Sequence, residues 1–275
     1  METRRILFIG AGRMAQAMIH GLVKQQGSFA WQIVASNRSD TSRLEALRSR
    51  FGIESTSNWQ QVVESADVVV LAMPPSEHPA VLAQLRDHVK QHQLIVSVAA
   101  GIGVSGLESS LPPDVAVAWV MPNTAASIGQ SMTLCALGSA VTNEQVEMLT
   151  EMLQALGQHQ ICTEEQVHKL TAITGSAPAF IYRAAQAFEE MAVEYGLSEV
   201  NARQIVGQML LGSANLLLTG TEPQVLANEV TTPGGATAAG LEVLERGNFM
   251  SILQEAITAT NQRAAELGMG NPPKR

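Results

Sequence analysis

At 275 residues the chain is long enough for two domains, and 46% hydrophobic against 15% charged residues is a charge deficit that points to surface buried against another subunit. A formal charge of -8 excludes nucleic acid as the expected partner, because phosphate binding needs a basic patch. No apolar run is long enough to span a bilayer, no signal-peptide pattern opens the chain, and Cys135 and Cys162 read as reduced core thiols, so a cytoplasmic protein without membrane contact is expected.

Arg4-Arg5-Ile6-Leu7-Phe8-Ile9 is an apolar strand signal, followed by Gly10-Ala11-Gly12-Arg13-Met14-Ala15 and then by Ala17 to Leu22 in helical register. This is the G-x-G-x-x-A dinucleotide fingerprint in its required setting, with a strand before it and a helix after. Gly10 serves the tight turn, Gly12 the close approach of backbone to a pyrophosphate, and Ala15 the packing of helix on strand. A tight turn without a ligand is the plainer alternative. The next strand, Ile33-Val34-Ala35, ends in Ser36-Asn37-Arg38-Ser39, where an NAD site usually places an acid on the ribose hydroxyls. Small polar residues and an arginine suit a 2′-phosphate, so NADPH is the expected cofactor and NADH the alternative. Against this stands the reading of Arg38 as a solvated loop residue.

Thr41 to Phe51 is a polar helix, and Gly52-Ile53 returns toward the sheet. Asp67 leads Val68-Val69-Val70-Leu71-Ala72, an apolar run of the kind buried on both faces of a parallel sheet. It stops at Met73-Pro74-Pro75, at the carboxyl end of the strand, where doubly wound sheets bind ligands. A helix from about Pro79 to Val89 leads to the strand Leu94 to Val98, closed by Ala99-Ala100-Gly101, residues small enough for a flat ring to lie on the backbone. His88 and His92 lack a third ligand within reach by sequence, so no metal is expected. Val115 to Val120 is a further strand that ends in Met121-Pro122-Asn123-Thr124, with Asn123 and Thr124 expected to face the same crevice. Ser131 to Leu137 is a strand, Asn143 to Leu156 an amphipathic helix capped by Asn143, and Gln160 to Cys162 a short strand. The alternation predicts an α/β fold, a Rossmann-type doubly wound sheet over residues 1–162.

Residues 163–275 carry no strand signal and are expected to form an all-α domain. Glu165 to Ile173 is helical, Gly175-Ser176-Ala177-Pro178 interrupts it, and Ala179 to Tyr195 resumes with almost no polar face. Such a helix is buried on every side, here by a second subunit. Ser198 caps a helix through Leu218, Pro223 opens a short one, and the last runs from about Met250 to Leu267. Between them, Thr231-Thr232-Pro233-Gly234-Gly235-Ala236-Thr237 is a turn feeding a helix start. Its free N–H groups and the positive end of the dipole can hold a carboxylate without a charged side chain. Alone, the stretch reads as an ordinary N-capped helix; a dinucleotide domain upstream makes it a candidate anion cradle.

Phe8-Ile9-Gly10-Ala11-Gly12-x-Met14-Ala15, Ser97-Val98-Ala99-Ala100-Gly101-Ile102, Met121-Pro122-Asn123-Thr124, Thr174-Gly175-Ser176-Ala177-Pro178-Ala179-Phe180 and Val230-Thr231-Thr232-Pro233-Gly234-Gly235-Ala236-Thr237 together resemble the Δ1-pyrroline-5-carboxylate reductase family. The segments come in the family's order and cover nearly the whole chain. The resemblance implies reduction of Δ1-pyrroline-5-carboxylate to L-proline, the last step of proline biosynthesis, by a homodimer or ring of dimers. It implies that Thr237 is catalytic and hydrogen-bonds the substrate nitrogen. Gly234, Gly235 and Ala236 would offer backbone N–H groups to the substrate, with Thr232 and Ser176 beside it. Asn58 would touch the phosphate end of the cofactor, and Ala72, Met73 and Pro74 would lie under it with Ala99, Ala100, Gly101 and Asn123. Two departures stand out: Pro74 where the family usually has lysine, and Phe180 where it has tyrosine.

Two rival readings remain at this level. One keeps the architecture and changes the substrate to another cyclic imine or a 3-hydroxyacid. The hydroxyacid enzymes rely on a lysine in the helical domain, and Lys169, the only lysine between Lys90 and Lys274, has flanks that do not match. The other is an NADP sensor that has lost catalysis, against which the intact Gly234-Gly235-Ala236-Thr237 argues.

Overall fold

The computed structural model describes residues 2–25 and 27–268. The chain forms two compact units, one holding residues up to Gly175 with the chain from Asn261 onward, the other Ser176–Thr260.

In the first unit strands and helices alternate: β1 (Glu2–Ile9), α1 (Arg13–Lys24), β2 (Phe29–Ser36), α2 (Thr41–Phe51), β3 (Glu54–Thr56), β4 (Val68–Leu71), α3 (His78–Leu85), β5 (Leu94–Ser97), α4 (Gly103–Ser110), β6 (Ala116–Met121), β7 (Ser131–Leu137), α5 (Asn143–Gln154), β8 (Gly157–Ile161) and α6 (Glu164–Thr171). The strands make one sheet in the order β3-β2-β1-β4-β5-β6-β7-β8, so the winding reverses between β1 and β4. That reversal opens a crevice beyond the carboxyl ends of the strands. Every neighbouring pair is parallel except β6 and β7. The single 3₁₀ segment between those two, Thr124–Ile128, is too short for a crossover, which forces the antiparallel return.

The strand period of two explains the core. Ile6 and Phe8 of β1 join Val68 and Val70 of β4 in an apolar cluster on one face, while Leu7, Ile9, Val69 and Leu71 join a cluster on the other. Helices cover both faces, so β4 and β5 are buried at every position.

Three local expectations are corrected. The helix expected over Pro79 to Val89 is α3, and it ends at Leu85, because the N–H groups of Asp87 and His88 bond to the Gln84 and Leu85 carbonyls three residues back, which breaks the i→i−4 ladder. The cap of α5 is Thr142, not Asn143. Thr142 Oγ1 accepts from Gln145 N–H at 3.3 Å, and Gln145 Oε1 accepts from Thr142 N–H at 2.9 Å, a reciprocal pair one residue earlier than expected. Helix α4 was absent from the expectation because Gly103 and Gly106 weaken the helical signal; buried Val104 and Leu107, one turn apart, hold it against the sheet.

The second unit contains α7 (Pro178–Glu194), α8 (Glu199–Leu217), α9 (Pro223–Glu229), α10 (Ala236–Arg246) and most of α11 (Phe249–Gly268). The expected interruption before α7 is a widened π turn, Ala172–Ser176, after which Pro178 restarts the helix in its first turn, where proline is tolerated. From Ser176 to Thr260 only Ala202 and Val206 are buried. None of α7 is buried, and Ile181, Tyr182, Phe188 and Met191 are exposed in the single chain. The burial that the apolar sequence of α7 demands is thus left for another molecule to supply.

Candidate active site

The fingerprint turn follows β1. Gly10 has φ +108°, and a Cβ there would lie 2.6 Å from the Ala72 carbonyl oxygen, so only glycine fits. Its N–H donates to Ser36 O and the Ala72 N–H to Ile9 O, each at 2.9 Å, which draws the carboxyl ends of β1, β2 and β4 together. Gly12 is the N-cap of α1; no side chain caps the helix and no acid lies in its first turn. A Cβ at Gly12 would meet only Ala72 O, at 3.9 Å, so the space beside it is open. Ala11 and Ala15 are buried and seat the helix on the sheet, while Arg13 is exposed and Met14 half-buried. Uncapped N–H groups at the positive end of a dipole, with open space before them, fit a pyrophosphate.

At the end of β2, Ser36 is buried and pairs in register with Thr56 of β3. The Asn37 carboxamide oxygen accepts from Ser39 and Asp40 N–H at 3.1 and 2.9 Å, so this side chain shapes the loop. Asp40, the acid that follows, accepts from Ser42 Oγ at 2.7 Å and Arg43 N–H at 2.9 Å as the cap of α2. These bonds, Ser42 first, hold its carboxyl below the usual range. Arg38 is exposed and has no ion pair or hydrogen bond among the described residues. Asn58 caps the short turn after β3 by accepting from Gln60 N–H at 3.2 Å, which leaves its amide N–H₂ free to donate.

Beyond β4, Ala72 and Met73 lie at the base of the loop and Pro74 is exposed. The Pro74 carbonyl accepts from His78 Nδ1 at 3.2 Å, and His78 Nε2 meets Ser97 Oγ at 3.0 Å. Beyond β5, Ser97 Oγ accepts from Ala99 N–H at 3.3 Å, while Trp119 Nε1 donates to Ala99 O at 2.8 Å. Ala100 and Gly101 are exposed, and Gly101 turns with φ +79°. Asn123, after β6, accepts from Ala125 N–H and donates to Thr174 O, each at 2.9 Å; its carboxamide ties the end of the strand to the π turn. Sequence reading missed His78 and Trp119: nothing in a helical stretch or an apolar strand distinguishes them, and only the fold brings them to Ala99.

In the second unit the Thr231–Thr237 stretch forms one turn. Thr231 Oγ1 donates to Ala227 O at 2.7 Å, and Gly235 N–H donates to Thr232 O at 2.9 Å. Gly234 has φ +71°, and a Cβ on Gly235 would lie 2.3 Å from Thr232 Oγ1, so both glycines are required by the turn. Gly235 is the N-cap of α10, and no side chain caps the helix. The N-capped reading is therefore replaced by an open start: Ala236, Thr237 and Ala238 precede the first helical bond, from Ala239 N–H to Gly235 O. Of the three amides expected to face the substrate, that of Gly235 is already used inside the turn. Thr232 and Thr237 are exposed, and Ser176, at the end of the π turn, is half-buried. The Thr237 hydroxyl has no partner among the described residues.

Among the described residues no group of three His, Cys, Asp or Glu could hold a metal ion, and no helix is long and apolar enough to cross a membrane. Residues 164–267 match the family described as pyrroline-5-carboxylate reductase dimerisation, and residues 5–101 match NADP oxidoreductase coenzyme F420-dependent. The chain is 38% identical to pyrroline-5-carboxylate reductase 1 of Bacillus spizizenii, over 97% of this chain and 90% of that protein. Among solved structures it resembles a pyrroline-5-carboxylate reductase from Coxiella burnetii, with a TM-score of 0.86 and 31% identity over 95% of this chain and 97% of that one. The pyrroline carboxylate reductase of Plasmodium falciparum with NADP bound shares the fold, with a TM-score of 0.85 and 23% identity over 98% and 99% of the two chains.

Proposed function

The chain belongs to the pyrroline-5-carboxylate reductase family, whose members reduce Δ1-pyrroline-5-carboxylate to L-proline with NAD(P)H, and we propose how its residues share that work. Residues 1–162 hold the cofactor, and residues 163–275 bind the substrate and dimerise. The open start of α10 carries the substrate assignment. It is an uncapped N-terminus preceded by two conformationally required glycines, with three threonine hydroxyls in one turn and no cationic side chain in the segment. A carboxylate on the free N–H groups of Ala236 and Thr237, with Gly234 beside them, satisfies donors that the helix cannot. Gly235 contributes by closing the turn on Thr232, and Thr232 and Ser176 lie beside the substrate.

On the cofactor side, Gly10, Ala11, Gly12, Arg13, Met14 and Ala15 cradle the pyrophosphate. Ser36, Asn37 and Arg38 surround the 2′-phosphate, with Arg38 as its charge partner and Asn58 donating from the neighbouring turn; NADPH is accordingly preferred to NADH. Ala72, Met73, Pro74, Ala99, Ala100, Gly101 and Asn123 frame the nicotinamide end. When bound, the nicotinamide supplies from its C4 the hydride that adds to the C=N carbon of the imine. The ring nitrogen gains one proton, leaving proline and the oxidised cofactor. The Thr237 hydroxyl hydrogen-bonds that nitrogen. No His, Asp or Lys within the site motifs serves as a general acid, so the imine enters protonated or draws a proton from water through Thr237. Catalysis is then mostly positioning and fixed dipoles.

The working form is a homodimer or ring of dimers, in the cytoplasm. The exposed apolar faces of the helical unit support the first part, and the unpaired Cys135 and Cys162 the second. The test is NADPH oxidation with pyrroline-5-carboxylate beside six-membered cyclic imino acids and hydroxyacids. Turnover restricted to another member of the panel rejects the substrate assignment. Thr237→Ala should lower kcat by about 10- to 1000-fold; an unchanged kcat removes Thr237 from catalysis.

A further inference from the structure

The loop after β5 is gripped by buried side chains in a way that the fold alone does not require. A carbonyl can only accept, so His78 Nδ1 carries the proton toward Pro74 O. In the neutral ring Nε2 is then an acceptor and takes the Ser97 hydroxyl proton, which leaves the Ser97 oxygen to accept from Ala99 N–H. The bonds run one way, from Ala99 through Ser97 and His78 to Pro74. From the other side, Trp119 Nε1 donates to Ala99 O. Both polar groups of the Ala99 peptide are thus held by side chains, and one circuit joins the loops after β4 and β5.

Ser97, His78 and Trp119 are 0%, 1% and 1% exposed, so water does not compete for these bonds. Ser97 and Trp119 are direct neighbours in the β5–β6 register, and Ser97 pairs with Leu71 of β4 on its other side, so the sheet itself fixes their positions. Trp119 belongs to a buried apolar cluster with Leu71, Leu82, Ile95, Leu107 and Val117, where an apolar side chain would pack without a polar group to satisfy, and its ring centroid lies 4.5 Å from that of His168. Polar groups kept in such a place mark a site where structure serves function.

We propose that His78, Ser97 and Trp119 are positioning residues that clamp the Ala99 peptide and thereby fix the surface on which the nicotinamide half of the dinucleotide lies. The inference rests on the reading of the chain as a nicotinamide-dependent reductase. With the pyrophosphate at Gly12 and the adenosine ribose at the end of β2, the other half of the dinucleotide extends to the β4–β5 side of the sheet, over the clamped loop. None of the three side chains acts on the reacting atoms; each acts through Ala99.

The test uses the full-length protein and two ligands. NADPH, followed by its own fluorescence, reports the whole cofactor; 2′,5′-ADP, followed by calorimetry, reports the adenosine half alone. Ser97→Ala removes one grip with almost no change in volume; Trp119→Phe removes the other at the cost of a small buried cavity. Each should weaken NADPH by about 3- to 30-fold while changing 2′,5′-ADP affinity less than about twofold. With pyrroline-5-carboxylate as substrate, kcat should fall while the KM for that substrate stays near the parent value. His78→Gln places an amide where Nε2 stood and should retain most NADPH affinity. Proportional weakening of both ligands, or no change in either, overturns the clamp. So does failure of both Ser97→Ala and Trp119→Phe to fold, which would make the groups structural. A parent protein that binds 2′,5′-ADP but gains nothing from the nicotinamide half rejects the clamp alone, whereas one that binds neither ligand rejects the reductase reading beneath it.

Discussion

At the scale of single residues, the charge on Arg38 is the sharpest commitment. Asp40, the nearest acid in sequence, is bound to Ser42 and to the first turn of α2, and Arg38 has no partner among the described residues, so its guanidinium is available to a phosphate. Arg38→Asp should lower kcat/KM for NADPH by about 10- to 100-fold, the loss of a charged hydrogen bond, with little change for NADH. Equal loss with both cofactors shows that Arg38 does not read the 2′-phosphate. Cys135 lies at the opposite extreme. Burial, reinforced by Cys162, pushes its thiol up to about 12. In a Cys162→Ser variant it should resist iodoacetamide at about pH 8.5 until the chain is unfolded in urea. The stability gained by keeping this thiol neutral is complete below the ordinary thiol range and is lost as pH rises toward its folded value. Melting temperature should therefore fall more steeply above about pH 9 in the parent than in Cys135→Ala. The sequence places both thiols in the core, but only Cys135 is buried and Cys162 is half-buried; the difference depends on the β7 register against β6.

At the scale of elements, hydrophobic period and glycine placement made most of the first unit legible. The β1–turn–α1 unit needed no correction, because strand, turn and helix signals there agree with one another. Discrepancies arose where two local signals competed. Thr142 and Asn143 are both good caps, and sequence cannot choose between them. The structure chooses Thr142, because Gln145 three residues on can return a bond to the Thr142 N–H. Thr142→Ala should cost about 1 kcal/mol in denaturant unfolding, and Asn143→Ala less than about 0.5 kcal/mol; the reverse order would return the cap to Asn143. The same competition hid the open start of α10. Three threonines suggest a side-chain cap, yet Thr231 bonds back to Ala227, and the N-cap position falls to Gly235.

At the scale of the whole molecule, the contrast between the two units governs behaviour. The first buries its central strands β4 and β5 at every position, whereas Ser176–Thr260 buries two residues, Ala202 and Val206. A unit with so little core gains its stability from association. The match to a dimerisation family over residues 164–267 agrees with that requirement. Met191→Glu, on the exposed apolar helix α7, should raise the dissociation constant of the assembly by at least about 100-fold, read by sedimentation velocity. If assembly is unaffected, Met191 lies outside the interface. Loss of assembly should take activity with it, since the helical unit also carries the candidate substrate turn.

The sequence by itself determined the fold class, the glycine turn after β1 proposed for the cofactor, the glycine turn before α10 proposed for the substrate, and the apolar helix that calls for a second subunit. Each of these is written in short-range signals: a glycine triplet after a strand, glycines before a helix, an apolar helix with no polar face. Only the tertiary structure decided what lies behind the loops after β4 and β5. His78, Ser97 and Trp119 are 19 to 41 residues apart in the chain and meet because parallel strands β5 and β6 set Ser97 beside Trp119, while α3 brings His78 back over them. Such a contact has no local signature, because strand order and register, rather than spacing along the chain, bring its members together.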